Sequence, residues 1–256
     1  MQALIIYMKN IQIIILAAGR GKRMNNGSLP KVLTLLNNKP IISYVTDTIK
    51  KTGYPHKPFI VVGHQADKVK KYLGKNYMYA LQSKRLGTGH AVACVKNKIS
   101  SNKKHILILY ADKPYINPLT IKRLATQHTR TKATLTMATI TMLNFSGWRK
   151  NFYDLGRVIR NKQNNIVKII ETKDATATEK KIKELNPTYL CFNAQWLWKN
   201  INKLSKNNSQ KEYYLTDLIH MACQQGKKIS SVSARPIEGL GINTNEQLDL
   251  AESIIK

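Results

Sequence analysis

The segment that most constrains this chain is IQIII at residues 11–15, which runs directly into LAAGRGKRM at 16–24 and, after a polar stretch, PKVL at 30–33. An apolar, mostly β-branched run ending in small residues reads as a buried strand that opens into a loop with exposed amides. Gly19 and Gly21 let backbone approach an anion without a Cβ in the way, and Arg23 and Lys31 bring charge to the same place. The pattern predicts a phosphate-holding loop. Two familiar versions are excluded by the letters. A Walker A loop carries a glycine four intervening residues ahead of its Gly-Lys-Ser/Thr, whereas position 16 is Leu and position 23 is Arg. A dinucleotide fingerprint needs a third glycine at position 24, which is Met, and an acid about twenty residues on to hold a ribose.

At 256 residues the chain is long enough for one large α/β domain with a substantial core, or two small ones, and no internal repeat or low-complexity linker forces a split. The strongest apolar stretch, 11–18, is too short to span a bilayer. Its charges at Arg20, Lys22 and Arg23 follow the stretch rather than precede it, unlike a signal peptide, so the expectation is a cytoplasmic protein. Residues 1–10 read as an N-terminal extension with Met8 as an alternative start. The three cysteines, Cys94, Cys191 and Cys223, are widely spaced and imply buried thiols rather than a disulfide framework or zinc site. A formal charge of +28 raises the question of nucleic acid. The lysines and arginines are spread along the chain with no basic arm, zinc finger or RNP-like strand. The expectation is salt-sensitive non-specific binding and no specific nucleic-acid role.

Periodicity predicts helices over 41–51, 66–74 and 117–130, strands over 57–63, 76–82, 105–112 and 133–141, and a Gly-rich turn entering a helix at 86–99. HILILYAD at 105–112 is a continuous apolar run ending in an acid, as a central parallel strand would deliver a side chain at its carboxyl end. Alternating strands and helices imply a Rossmann-like, doubly wound α/β fold with a mostly parallel sheet. From about 144 the pattern shifts to shorter β pieces, 156–161, 165–171 and 187–193, the first two reading as a hairpin. Helices near 194–205 and 214–225, a strand at 229–233 and a helix from 245 complete the reading.

Further motifs follow in order: QxxxLGTGHA at 82–91, YADxP at 110–114, GR at 156–157, ETKDA at 171–175, EYYLTD at 212–217 and GIN at 241–243. With LAAGxGxRM and PKVL, this series over about residues 11–250 resembles the uridyltransferase domain of GlmU-type UDP-N-acetylglucosamine pyrophosphorylases. The resemblance implies an enzyme joining UTP and N-acetylglucosamine 1-phosphate into UDP-N-acetylglucosamine and pyrophosphate, with Mg²⁺ as cofactor, in the supply of cell-wall or surface polysaccharide precursors. It implies one domain over 1–256, with 11–143 the nucleotide-binding part and 144–256 a small β-rich sugar-binding and closing part.

The same resemblance distributes roles. Arg23 and Lys31 hold the triphosphate, each cation–phosphate contact being worth roughly 4 kcal/mol at 4 Å and an effective dielectric near 20, before desolvation. Asp112 and Asn243 are the implied metal ligands, Asp112 being catalytic with Arg23 and Lys31. Nucleotide recognition falls to Leu16, Ala17, Ala18, Gly19, Gly21, Gln82, Gly87 and Thr88. The sugar side falls to Gly156, Glu171 and Asn186, with Tyr110, Glu212 and Thr216 as second choices. Without the resemblance, Asp112 would read as a helix N-cap, Asn243 as a turn residue and Gln82 as an exposed strand end.

The chain departs from the family pattern at Lys22, at an apparent inserted residue before Pro30, at Arg85, Ala111 and Leu155, and at Asn186-Pro187-Thr188, where Asn-Thr-Gly is expected. Uridylyl transfer is therefore a firmer expectation than the N-acetylglucosamine acceptor. No hexapeptide repeat of the acetyltransferase β-helix follows, so a monomer or weak dimer without acetyltransferase activity is expected. The alternatives left open are another nucleoside triphosphate or sugar 1-phosphate, and a catalytically inactive basic relative that binds nucleic acid or regulates.

Overall fold

The structure is a computed structural model and describes residues 8–24 and 29–254. Most of the 1–10 extension, the inserted residue before Pro30 and the side chain of Lys22 lie outside the described residues.

The strands are β1 (Ile11–Ala17), β2 (Leu35–Leu36), β3 (Lys39–Pro40), β4 (Phe59–Val62), β5 (Met78–Leu81), β6 (His105–Tyr110), β7 (Leu135–Thr141), β8 (Arg157–Arg160), β9 (Ile166–Ile170), β10 (Glu184–Leu185), β11 (Leu190–Asn193) and β12 (Ile229–Ser233). The helices are α1 (Ile41–Lys51), α2 (Ala66–Leu73), α3 (Thr88–Ala93), α4 (Pro118–Thr131), α5 (Ala194–Asn200), α6 (Asp217–Gln224) and α7 (Asn245–Ile254). Among the described residues one sheet runs β5-β4-β1-β6-β11-β7-β10-β8-β9, with β12 also pairing β7, and β2–β3 form a separate hairpin.

All seven residues of β1 are buried because both sheet faces are covered. Ile11, Ile13 and Ile15 point into the layer holding Ile41, Val45, Ile121 and Leu124, while Ile14 and Leu16 point into the layer holding Val92, Leu197 and Leu218. The lone polar residue of the strand, Gln12, is accommodated because its amide donates to the carbonyls of Ile13 and Lys57.

The expected Rossmann-like half is present: β5, β4, β1 and β6 pair in parallel. Beyond β6 the sheet continues antiparallel through β11, β7, β10, β8 and β9. The 187–193 piece therefore belongs to the central sheet rather than to the insertion. Its Leu190, Cys191 and Phe192 are fully buried between β6 and β7. The β8–β9 hairpin forms as expected. Only Cys191 of the three thiols is buried; Cys94 and Cys223 are half-exposed, because they sit at the end of α3 and on α6 rather than inside the sheet.

Candidate active site

Four parallel strands end at one edge of the sheet, as the pairs Ala17↔Val62, Val62↔Leu81 and Leu16↔Tyr110 require. The residues just past those ends, Ala18 to Gly21, Gln82 and Asp112, therefore meet around a cleft of about 560 Å³. That is where ligands bind in open α/β sheets.

Gly21 adopts φ +68°, and a Cβ there would lie 2.6 Å from Lys31 Cβ. Only glycine lets the loop fold over the lysine stem. Lys31 is 7% exposed, and its ammonium donates to Asp112 Oδ2 and to Asn243 Oδ1 at 2.8 Å. Three residues separated by most of the chain thus converge. Asn243 is brought in by the Ile242 amide, which donates to the Asp112 carbonyl at 2.9 Å. Burial alone would raise the Asp112 carboxyl, but the Lys31 and Lys113 ammonium groups outweigh it and hold the group below its ordinary value. Asp112 Oδ1 is buried with no hydrogen-bond partner among the described residues. The N-cap reading of Asp112 fails, since α4 starts at Pro118 and is capped by Asn117, whose side chain accepts from the Leu119 amide.

Sequence reasoning missed Lys113, which is 5% exposed and donates to the Gly239 carbonyl at 3.0 Å. Burial pushes it down to about 8, against the pull of Asp112. A lysine directly after the acid that follows this apolar strand was the available signal. Arg20 and Arg85 also line the cleft. Arg23 does not: it lies on a short 3-10 turn with its side chain exposed and outside the cleft lining.

On the nucleotide side, Leu16, Ala17, Ala18, Gly19, Gln82, Gly87 and Thr88 all line the cleft. Gln82 is 5% exposed rather than an open strand end. Gly87 has φ +105°, and a Cβ would strike the Tyr213 main chain at 2.6 Å. The loop is clamped there by Tyr213 N donating to Leu86 O and Gly89 N donating to Tyr213 O, both at 2.8 Å. The Thr88 hydroxyl accepts from the Leu215 amide. Tyr110 lines the same cleft, with burial pushing its phenol up, and so does Glu212 beside Gly87.

The remaining sugar-side residues gather around the β8–β9 hairpin. Glu171 accepts from the Thr216 hydroxyl at 2.9 Å, and burial pushes its carboxyl up. Glu171 Oε2 would be 3.4 Å from a Cβ at Gly156, whose carbonyl accepts from the Asn186 amide. Asn186 is 1% exposed, and its Nδ2 has no partner among the described residues. Behind these residues lies Arg157, fully buried, donating to the carbonyls of Tyr153, Leu155 and Lys180 and to the Thr172 hydroxyl.

A family model described as "MobA-like NTP transferase domain" matches residues 13–212. Proteins named "Bifunctional protein GlmU" are similar along the chain: that of Fervidobacterium nodosum is 42% identical over 247 residues, covering 96% of this chain and 51% of that protein. That of Caldicellulosiruptor saccharolyticus is 38% identical over 250 residues, covering 97% and 52%. The chain spans about half the length of the curated relatives it matches. A UDP-glucose pyrophosphorylase solved with UDP-glucose superposes with a TM-score of 0.76 at 13% identity, covering 95% of this chain and 97% of the other. At that identity the likeness speaks to the fold. Among the described residues no helix is long and apolar enough to cross a membrane.

Proposed function

The chain belongs to the MobA-like NTP transferase domain family, and on that premise we propose that it transfers the uridylyl group of UTP to N-acetylglucosamine 1-phosphate, releasing pyrophosphate. The observation that carries this reading is the convergence of Lys31, Asp112 and Asn243 beside the loop after β1. An acceptor phosphate oxygen attacks the α-phosphorus, and the bond to the departing pyrophosphate breaks in line. The protein therefore has to position anions and neutralise charge, with no covalent intermediate. The loop from Ala18 to Gly21 lines the cleft, so its main-chain amides are the donors available to the polyphosphate. Two of the three Lys31 N–H groups are taken by Asp112 and Asn243, which leaves one for a phosphate oxygen. On the acceptor side, Glu171 offers an acceptor to sugar hydroxyls, and the orphaned Asn186 amide offers a donor.

The donor set fits Mg²⁺. The unpartnered Asp112 Oδ1 and the neighbouring Asn243 carbonyl are hard oxygen ligands, and Mg²⁺ takes one or two of these plus phosphates and water. Among the described residues no group of three or more His, Cys, Asp or Glu gathers into a protein-only nest. Asp112 and Asn243 would hold the ion, which when bound neutralises phosphate charge.

A different sugar 1-phosphate is the second reading, favoured by one observation: Thr188, next to Pro187, is held at φ +70° with its amide donating to Asn186 Oδ1. The Asn186 side chain is thereby fixed by a strained residue rather than by a glycine. Pyrophosphate release, assayed with UTP against a panel of sugar 1-phosphates in Mg²⁺, tests both readings. The first predicts the N-acetylglucosamine derivative as the best substrate. No turnover with N-acetylglucosamine, glucose or galactosamine derivatives would sink the enzymatic claim.

A further inference from the structure

Among the described residues Gln82 is the one side-chain amide lining the cleft, and its orientation is fixed from behind. Its Nε2 lies 3.0 Å from the Gly87 carbonyl and 3.1 Å from His90 Nδ1. A main-chain carbonyl can only accept, so the amide's NH₂ must face Gly87. With that donor placed, His90 Nδ1 must accept the second N–H, which makes the imidazole the neutral Nε2–H tautomer. Its Nε2 faces Cys94 Sγ at 4.0 Å. Burial, reinforced by the nearby Lys206 charge, lowers the His90 pKa and favours this neutral form. Both N–H groups of Gln82 are therefore consumed inside the protein. With the NH₂ turned inward, its Oε1 is the pole of the carboxamide left for a ligand.

We propose that His90 is a positioning residue which, with Gly87, holds the Gln82 carboxamide with its oxygen presented to the nucleobase, so that the cleft selects a pyrimidine bearing an N3–H donor over one whose N3 is an acceptor. Uracil has that N3–H and cytosine has a lone pair there. An acceptor-only pole meets the first with a hydrogen bond and the second with repulsion. His90 is well placed for the task. It sits on α3, whose entry is pinned when the Gly89 amide donates to Tyr213 O, and its ring sits behind Gln82 rather than lining the cleft. The inference rests on reading the cleft as a nucleoside triphosphate site.

The test compares UTP and CTP on the wild type, His90→Leu and His90→Asn, by calorimetric binding and by kcat/KM. Asparagine is the conservative rescue, because its Oδ1 can accept from Gln82 where Nδ1 does. The wild type should prefer UTP by about tenfold or more, the scale of one hydrogen bond gained and one repulsion avoided. His90→Leu should compress that preference about tenfold through weaker UTP binding, with the sugar 1-phosphate KM unchanged within about twofold, and His90→Asn should restore it. A structural role alone would lower both nucleotides together. Preference retained in His90→Leu, or not restored in His90→Asn, overturns the inference. So does a wild type that binds UTP and CTP alike. Long-range ¹H–¹⁵N spectra of the wild type give a readout that needs no variant: His90 should be the Nε2–H tautomer, and the Nδ1–H tautomer overturns the inference. A wild type that distinguishes the two nucleotides yet releases no pyrophosphate overturns only the functional reading.

Discussion

Replacing Lys31 with methionine removes the ammonium that ties Asp112 to Asn243 while keeping most of the stem that packs under Gly21. The Lys31 and Asp112 side chains are 8% and 17% exposed, so the pair is largely out of water. Breaking a buried pair by removing one partner costs roughly 3–5 kcal/mol, because the other charge is left uncompensated. Here Asp112 keeps the Lys113 ammonium nearby and some solvent contact, so we expect about 2–3 kcal/mol for Lys31→Met. Asp112→Asn keeps an acceptor for Lys31 and should cost about 1 kcal/mol. The double variant should be more stable than the sum of the two losses implies, with a coupling of about 1–2 kcal/mol. The assay is urea unfolding at pH 7.5 with EDTA present, so that no divalent ion substitutes for the lost cation. The sign of the pH dependence follows from Asp112. Its folded value lies below the unfolded one, so its contribution is complete above about pH 4 and is lost as pH falls through the folded value. The gap between wild type and Lys31→Met should narrow in that acid range. A coupling under about 0.5 kcal/mol, or a gap that ignores pH, would refute the claim that this pair organises the site.

Three other outcomes are expected. Arg157→Met strands the carbonyls of Tyr153, Leu155 and Lys180, so chemical denaturation should show a loss of about 3 kcal/mol, and a loss below about 1 would contradict the packing described. Thr188→Gly relieves a β-branched residue at φ +70° and should raise stability by about 0.5–1 kcal/mol after the entropy of glycine is counted, with destabilisation as the opposing result. His128 is fully buried between Thr136 and His105, and burial pushes it down to about 3. The unfolded chain takes up that proton below about pH 6.5 and the folded one does not, so stability should fall between about pH 6.5 and 3, by roughly 5 kcal/mol at most. Urea midpoints over that range should flatten in His128→Phe, and an unchanged slope would refute the assignment.

The parallel half of the fold was legible because its signals are local. IQIII, FIVV and HILILY are continuous apolar runs, as strands covered on both faces must be, and each ends where a small, polar or acidic residue takes over. That placed the loop and Asp112 at strand ends, while Gln82 was assigned through the family resemblance. The antiparallel insertion of β11 between β6 and β7 was not legible, since LCFN has the same apolar letters whichever neighbour it pairs with. Lys31 was legible as a cation but not as the bridge between Asp112 and Asn243. That contact depends on Gly21 giving way and on a backbone bond between Asp112 and Ile242, which are non-local. Arg23 was assigned through the LAAGxGxRM resemblance, and the structure sets it on the 3-10 turn at Lys22–Met24, with Arg20 lining the cleft.

The central claim is that Lys31, Asp112 and Asn243 form a nucleotidyl-transfer site. It is tested most directly by following UTP and N-acetylglucosamine 1-phosphate by ³¹P NMR in Mg²⁺, with wild type, Asp112→Asn and Asn243→Ala side by side. The account predicts that UDP-sugar and pyrophosphate resonances grow together in the wild type and are slowed by about a hundredfold or more in both variants, the scale of losing a charge-stabilising group. Variants that turn over like the wild type, or a wild type that leaves both substrates intact, would contradict it.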